Sequence, residues 1–302
     1  MVPAGSMRST WIGLAVYVGV FFVFILGMVL WRRHQRKDRR PFPENFKLLR
    51  GPGETQRRLV ARLDENVGDR LLLAFALPVV VAAALLWITT HLSGAWQLAG
   101  LVATLLGMLV TLYFVARFLA EKAEESGNRY LGYFGELIVA EALEPLKAQG
   151  FRVFHDVPCG DAKAPFNIDH IVVGPSGVFA IETKTRRKGR ARGGFAEHEI
   201  IYDGQVLAYP WGEDRHGLDQ AQRQARWLAD WLARLLGQRP PVSPILTFPG
   251  WMIIRRGAGP VNVLNPKEIL SAVLPRGAPA LGSEQIDLIA RQLDARCRDV
   301  EY

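Results

Sequence analysis

Two long stretches of this chain contain no Asp, Glu, Lys or Arg, and they dominate its pattern of hydrophobic and polar positions. They are residues 9–31 and residues 71–116. A membrane-spanning helix needs about 20 apolar residues, so the first stretch fits one span and the second fits two spans joined by a turn. We expect the turn near 91–94, where Ser93 and Gly94 interrupt the apolar run. Three transmembrane helices are therefore predicted, since buried core helices of soluble proteins rarely run so far without a charge.

From about residue 120 onward, the pattern is typical of a globular α/β domain. The spacing of apolar residues and the turn signals predict helices at about 124–148, 218–236, 266–274 and 284–297. They predict strands at 151–157, 167–173, 178–184, 199–202, 245–248 and 252–254, with a tight turn at 174–177. A helix, three strands, a helix and a further strand in this order predict a mixed central sheet with helices packed on it.

The chain is thus expected to contain four segments. They are an N-terminal transmembrane anchor at 1–31, a basic juxtamembrane segment at 32–70, a transmembrane hairpin at 71–119 and an α/β domain with a helical C-terminal extension at 120–302. In the second segment, Leu59, Leu63 and Val67 recur every four residues among charged residues. This spacing predicts a short amphipathic helix, which could lie on the membrane surface or pack on the α/β domain.

The net charge of +8 is concentrated beside the first apolar stretch. Residues 32–70 contain 12 Lys and Arg against 6 Asp and Glu, whereas residues 117–302 contain 24 against 23. The excess is therefore placed to contact anionic lipid headgroups and to fix the topology. Bulk charge does not by itself indicate that the chain binds nucleic acid.

The basic residues also predict an orientation in the membrane. Arg8 is the only one before the first apolar stretch, six follow it directly at 32–40, and the turn near 91–94 has none. Because basic loops stay inside, we expect a multi-pass protein of a bacterial-type inner membrane, with its N-terminus outside and its C-terminal domain in the cytoplasm. A cleavable signal peptide is disfavoured, since the apolar run is too long. The two cysteines, Cys159 and Cys297, lack metal-ligand spacing and agree with a reducing compartment.

Two of the predicted strands carry acidic residues inside apolar runs. Glu182 and Lys184 share one face of their strand, and the turn at 174–177 can bring Asp169 beside Glu182. Adjacent carboxylates repel unless a divalent cation lies between them, and oxygen ligands suit Mg²⁺. This arrangement predicts a metal site that hydrolyses phosphodiesters, with Lys184 stabilising developing charge. The residues alone leave an alternative open, in which Glu182 and Lys184 form an ordinary ion pair and Asp169 caps a turn.

At five places the sequence resembles the nuclease-related domain family, NERD, of the wider PD-(D/E)XK superfamily. The matching motifs are Gly135-Glu136, Ile168-Asp169-His170-Ile171, Gly177-Val178-Phe179, Ile181-Glu182-Thr183-Lys184 and Gln220. The resemblance covers about residues 127–250. It departs from the family where His216-Gly217 replaces the usual Asn-Pro before the glutamine, and where no proline precedes Asp169.

The resemblance implies a restriction-endonuclease-like α/β fold and a nuclease that depends on Mg²⁺ or Mn²⁺. It implies that Asp169 and Glu182 are metal ligands and that Lys184 is the catalytic lysine. It also implies that Glu136 joins the metal site and that Gln220 supports the catalytic residues. Nucleic acid, with DNA preferred over RNA, is the implied substrate, and a homodimer stays open.

Other features leave the function open between classes. Six of the nine residues at 184–192 are basic, which suits a loop that grips phosphates and equally suits a solvated hairpin tip. His170 is expected to be a core histidine. The near-neutral charge of 117–302 favours one rival, a non-catalytic membrane-tethered module that binds nucleic acid or a protein. A membrane sensor or scaffold is a third option, although the spans carry no charged residue for an ion pathway.

Overall fold

The computed structural model of the chain describes residues 47–65, 67–161, 163–193, 196–275 and 277–300, and isolated positions between 19 and 31. The predicted first span lies outside the described residues except for those positions, as does the basic cluster at 32–40. The chain divides into two compact units. One contains Ala61–Gly127, and the other contains Glu44–Val60 together with Asn128–Tyr302.

The described residues between 47 and 148 are mainly helical, with one very short strand. The elements are β1 (Leu48–Leu49), α1 (Glu54–Glu65), α2 (Val67–Thr89) and α3 (Ala95–Ala148). Helix α1 is the predicted amphipathic helix, and the break between α2 and α3 confirms the turn predicted near 91–94. The helix predicted at 124–148 is confirmed with its end at Ala148, but it begins much earlier, at Ala95, and is the last part of α3, a single helix of 54 residues. Ion pairs one turn apart, Arg117 with Glu121 and Lys122 with Glu125, favour helix through the charged stretch.

Among the described residues, α3 is the one helix that is long and apolar enough to cross a bilayer. Only 6% of its most apolar 18-residue window is buried, which is unlike a core helix. The apolar part of α2, Ala76–Thr89, is shorter than the roughly 20 residues that a span needs. The prediction of three transmembrane helices therefore exceeds what the described residues contain, because one segment lies outside them and another is too short.

A five-stranded mixed sheet forms the centre of the C-terminal unit. Its strands are β2 (Arg152–Cys159), β3 (Phe166–Gly174), β4 (Gly177–Thr183), β8 (Val242–Thr247) and β10 (Asn262–Leu264). Strands β2, β3 and β4 are antiparallel neighbours, whereas β8 runs parallel to both β4 and β10. The predicted mixed sheet is confirmed. In the turn between β3 and β4, Gly177 has a φ of 124°, a conformation that other residues rarely adopt.

Helices cover both faces of this sheet. The end of α3 and α5 (Pro266–Val273) pack on one face, against Phe179 and Ile181 of β4. On the other face, α4 (His216–Leu236) and α6 (Ser283–Cys297) pack against Val178 and Ala180. Each Leu or Ile buried in these layers contributes about 1.5–3 kcal/mol, so the two cores hold β3 and β4 in a fixed position.

A second, four-stranded sheet lies in the same unit. Its order is β7-β6-β5-β9, with β5 (Glu199–Tyr202), β6 (Leu207–Tyr209), β7 (Gly212–Asp214) and β9 (Met252–Arg255). A two-stranded sheet joins β1 to β11 (Arg298–Val300). Five strands, β1, β6, β7, β10 and β11, could not be predicted from the sequence, because strands of two or three residues show no measurable alternation.

Candidate active site

The β3–β4 hairpin brings Asp169 and Glu182 together. Its register pairs His170 with Ile181 and Ile171 with Ala180. Continued by one residue, it places Asp169 opposite Glu182 with both side chains on the same face. The backbone N–H of Thr183 donates a hydrogen bond of 2.7 Å to Asp169 Oδ2. The Asp169 carboxylate is thereby held beside the Glu182 carboxylate, which is almost fully buried.

Glu136 reaches the same place from α3. A Cβ atom on the preceding Gly135 would lie 2.0 Å from Thr185 Cγ2, so glycine lets the helix approach the chain directly after β4. The Glu136 carboxylate is buried and accepts a hydrogen bond from the Gly53 amide. Its Oε2 atom has no hydrogen-bond partner. A buried carboxylate oxygen without a donor is costly, which makes it a candidate ligand for a cation.

Helix α4 supplies two glutamines that hold the polar end of β4. Lys184 Nζ lies 2.7 Å from Glu182 Oε1 and 2.9 Å from Gln220 Oε1. One turn further along α4, Gln224 Nε2 donates hydrogen bonds of 2.6 Å to Glu182 Oε2 and of 3.1 Å to the Asn167 carbonyl. Each oxygen of Glu182 thus has its own partner. Helix α4 begins at His216, and Gly217 lies close to Leu246 and the Lys184 stem, so the departure from Asn-Pro leaves Gln220 at the site.

Burial and neighbouring carboxylates raise the affinity of Glu136 and Asp169 for protons. Burial, followed by the charges of Asp156 and Glu182, raises the pKa of Glu136 to about 8. Burial also raises the pKa of Asp169 well above its usual range, and the charges of Glu182 and Glu136 add to this effect. Such repulsion between buried acids is typical of functional sites, where a cation or a proton offsets it.

All five residues predicted from the sequence line one cavity. Its volume is about 620 Å³, and its walls include Glu136, Asp169, Glu182, Lys184 and Gln220. Four polar residues that line the cavity were not predicted from the sequence, Thr55, Gln56, Asp156 and Asn167, and neither was Gln224, which holds Glu182. The spacing of Gln224 four residues after Gln220 was the one available signal, since it puts both glutamines on the same helical face.

The donor set suits a hard divalent cation, although the side chains as placed are occupied with one another. No group of three Asp, Glu, His or Cys side chains within the described residues is arranged to hold a metal ion. Lys184 and Gln224 hold Glu182, and the Thr183 amide holds Asp169. Buried carboxylate oxygens, one of them unpartnered, nevertheless provide the ligand chemistry that Mg²⁺ and Mn²⁺ prefer.

Gln224→Leu is expected to lower the free energy of unfolding by about 1.5 kcal/mol, because leucine removes the hydrogen bond to a buried charged carboxylate. Urea denaturation of the full chain in detergent, followed by tryptophan fluorescence, measures this loss. The matched control is Gln222→Leu on the same helix, whose side chain accepts a hydrogen bond from exposed Arg226. An equal loss in both variants would contradict the assigned role of Gln224.

The basic loop that follows β4 is partly paired within the domain. Arg186 lines the cavity, forms an ion pair of 3.3 Å with Asp214 and lies 6.0 Å from the centre of the Tyr209 ring. Arg187 donates a hydrogen bond to Asn128. These contacts order the start of the loop beside the cavity, and the expectation that it grips phosphates stays a prediction.

Comparison with known proteins adds one finding. Residues 131–249 match the family model described as the nuclease-related domain, NERD, which confirms the resemblance predicted for about 127–250. The matched range contains all five residues predicted for the site. Neither a curated protein nor a solved structure was found to match the chain. Over residues 131–249, this chain is therefore similar to the nuclease-related domain family.

Proposed function

We propose that this chain is a metal-dependent nuclease that hydrolyses phosphodiester bonds in DNA and is anchored in a membrane. The observation that carries the proposal is the convergence of Asp169, Glu182 and Lys184 on one cavity inside the nuclease-related domain. An ordinary surface ion pair between Glu182 and Lys184 would not need a second buried carboxylate beside it. It would also not need two glutamines from α4.

Asp169 and Glu182 would hold the metal ion, Mg²⁺ or Mn²⁺, with Glu136 as a third member of the site. Charge balance supports this assignment. The cavity is lined by four carboxylates, those of Glu136, Asp156, Asp169 and Glu182, and by two cationic side chains, Lys184 and Arg186. When bound, such an ion lowers the pKa of a coordinated water and neutralises phosphate charge.

Lys184 is the residue that we assign to the developing negative charge on the phosphoryl oxygens. Its ammonium donates to Glu182 and Gln220, and an ammonium has three protons, so one is left for a substrate oxygen or a water. Gln220 and Gln224 act as positioning residues, because they hold Lys184 and Glu182 in place. The preference for DNA rests on the family and on the basic residues that follow Lys184.

The membrane part of the proposal rests on the apolar stretches. The apolar half of α3, the longer charge-free run of α2 that begins at residue 71 and the stretch at 9–31 would form three spans with the N-terminus outside. The basic residues at 32–40 would then meet anionic headgroups on the cytoplasmic side, where the nuclease-related domain also lies. A reporter fused after residue 302 tests this topology, and activity of that reporter in the periplasm would overturn it.

Cleavage by the purified full chain in detergent tests the nuclease. Linear DNA, circular DNA and RNA are incubated with Mg²⁺, with Mn²⁺ and with a chelator, and we expect cleavage of DNA that depends on the metal. Glu182→Gln is expected to reduce the rate more than about a hundredfold, because it removes charge at the reacting centre. Glu144→Gln serves as the control, since Glu144 forms an exposed ion pair with Lys147.

Two results would reject this function. Cleavage that survives in Glu182→Gln, or that ignores the chelator, would exclude the assigned chemistry. Binding of DNA without cleavage, together with no metal binding by calorimetry, would instead identify a non-catalytic module tethered to the membrane.

A further inference from the structure

The segment 47–58, which we call the strap, packs on the C-terminal unit although the first unit separates the two in sequence. Strand β1 in the strap pairs with β11, so that Leu48 lies opposite Val300. The Arg50 backbone N–H donates to the Cys297 carbonyl at 2.9 Å. The strap is therefore held to the end of the described chain by backbone hydrogen bonds.

Arg50 ties the strap to the central sheet. Its guanidinium lies 2.5 Å from Asp299 Oδ2 and 3.0 Å from Asp156 Oδ2, and the Arg50 side chain is 10% exposed. Removing Arg50 would leave the buried carboxylate of Asp156 without its cationic partner, which is unfavourable. These pairs fix the position of the strap.

Asp156 of β2 is held in a strained conformation that aims its side chain at the strap. It is the one described non-glycine residue with a positive φ, 46°. Its Oδ2 accepts hydrogen bonds of 2.7 Å from both the backbone N–H and the hydroxyl of Thr55, and Asn167 donates to its Oδ1 at 2.9 Å. Such backbone strain persists only where the surroundings impose it.

The strap then continues to the candidate active site. The Gly53 amide donates to the Glu136 carboxylate, and Gly53 has φ of 66°. A Cβ on Gly53 would lie 2.6 Å from the Tyr133 ring, so only glycine lets the strap approach α3 this closely. The next residues, Thr55 and Gln56, form one wall of the cavity that contains Asp169 and Glu182.

We propose that the strap is a working part of the active site, in which Thr55 and Gly53 are positioning residues that place Glu136 and one wall of the substrate cavity. This inference rests on the proposed nuclease function. Without the strap, Glu136 would lose its donor from Gly53 and the cavity would lose the wall formed by Thr55 and Gln56. Assembly of the nuclease would then depend on docking of the chain that precedes the second apolar stretch.

The test compares three substitutions in the full chain in detergent. Thr55→Val keeps the shape of the side chain but removes the hydroxyl that bonds Asp156, and Thr55→Ser restores that hydroxyl. Arg57→Ala is the matched control on the same segment, because the Arg57 side chain is 54% exposed and pairs with Glu54. Measurements are kcat and KM for DNA, the Mg²⁺ concentration that gives half the maximal rate, and hydrogen exchange of the amides at 182–185.

Thr55→Val is expected to lower kcat about tenfold and to raise the half-maximal Mg²⁺ concentration about tenfold, because a loosened strap weakens the support that Gly53 gives to the proposed metal ligand Glu136. KM should stay within about twofold, and amides 182–185 should exchange faster. Thr55→Ser and Arg57→Ala should behave like the unmodified chain in all of these measurements.

The outcomes separate the two proposals. If the unmodified chain cleaves DNA and Thr55→Val matches Arg57→Ala in rate, in Mg²⁺ dependence and in exchange, the strap has no positioning role. A fall in rate that Thr55→Ser fails to restore would also reject it. If the unmodified chain does not cleave at all, the nuclease proposal fails, and exchange at 182–185 alone decides whether the strap orders the cavity.

Discussion

Asp169→Asn is expected to reduce metal-dependent cleavage about a thousandfold or more, the scale at which enzymes lose a group that acts on the reacting centre. The same substitution should make the metal-free protein more stable at pH 8. Burial and the neighbouring charges of Glu182 and Glu136 raise the pKa of Asp169. The ionised carboxyl is therefore unfavourable in the folded state, and asparagine removes its charge while keeping an oxygen for the Thr183 N–H.

The pH dependence of this gain follows from the direction of the shift. A carboxyl whose pKa is raised by folding favours the folded state below its unfolded pKa, and this advantage is lost as the pH rises. The stability gain in Asp169→Asn should thus vanish toward pH 4 and grow toward pH 8. Urea denaturation in the presence of a chelator measures it at each pH. With Mg²⁺ added, the unmodified chain should gain stability and Asp169→Asn should gain little.

Asp230→Asn provides the comparison, because Asp230 forms an exposed ion pair with Arg239 and lies on the same domain. It should leave cleavage unchanged and alter the free energy of unfolding by less than about 1 kcal/mol at any pH. If Asp169→Asn is no more stable than the unmodified chain at pH 8 without metal, Asp169 is not under the electrostatic stress that we assign to it. That result would weaken the case for a cation site even if cleavage were lost.

The central hairpin could be predicted from the sequence because its signals are local. Asp169 and Glu182 lie on neighbouring strands, and the turn at 174–177 fixes their register within a few residues. The same holds for Lys184, which the alternation of β4 places on the Glu182 face. Glu136 and Gln220 lie on other elements, and the family resemblance was needed to connect them to the hairpin.

The position of the strap could not be predicted, because its contacts join residues that are far apart in the sequence. Arg50 and Asp299, whose side chains form an ion pair, are 249 positions apart, and no periodic pattern reports such a contact. The amphipathic spacing in α1 predicted a helix but left its partner open between the membrane surface and the domain. Tertiary contacts with Asp156 decide in favour of the domain for the first part of that helix. The strained backbone of Asp156 could not be predicted from the sequence either, since a strand pattern gives no sign of a positive φ.

The second large effect that we expect is a loss of stability on acidification, caused by the contact between His155 and His170. His170 was predicted to be a core histidine, and it is fully buried, with its Nδ1 atom 2.8 Å from Nδ1 of His155. One ring must donate and the other accept, so the contact does not tolerate two protonated rings. Burial, followed by the charge of Lys147, lowers the pKa of His155 to about 4. Burial also lowers the pKa of His170 well below its usual value, and the charge of His155 lowers it further.

The sign of this effect is opposite to that of the carboxylates. The unfolded chain takes up protons on histidine near pH 6.5, whereas the folded chain does not until about pH 4, so stability falls as the pH drops between these values. The contribution of His155 between pH 7.5 and pH 5 is about 2 kcal/mol. Glu136 and Asp169 have raised pKa values, so they stabilise the folded chain as the pH falls and partly offset the loss caused by His155. The unmodified chain alone therefore does not reveal the contribution of His155.

Comparison with His155→Gln isolates it, since glutamine does not titrate in this range. We expect the unmodified chain to lose about 2 kcal/mol more than His155→Gln between pH 7.5 and pH 5, measured by urea denaturation with the chelator present. His198→Gln, at an exposed position, should lose as much as the unmodified chain. Equal losses in all three proteins would mean that the His155–His170 contact tolerates protonation. The acid sensitivity of the domain would then have to arise elsewhere than in the core beneath the active-site hairpin.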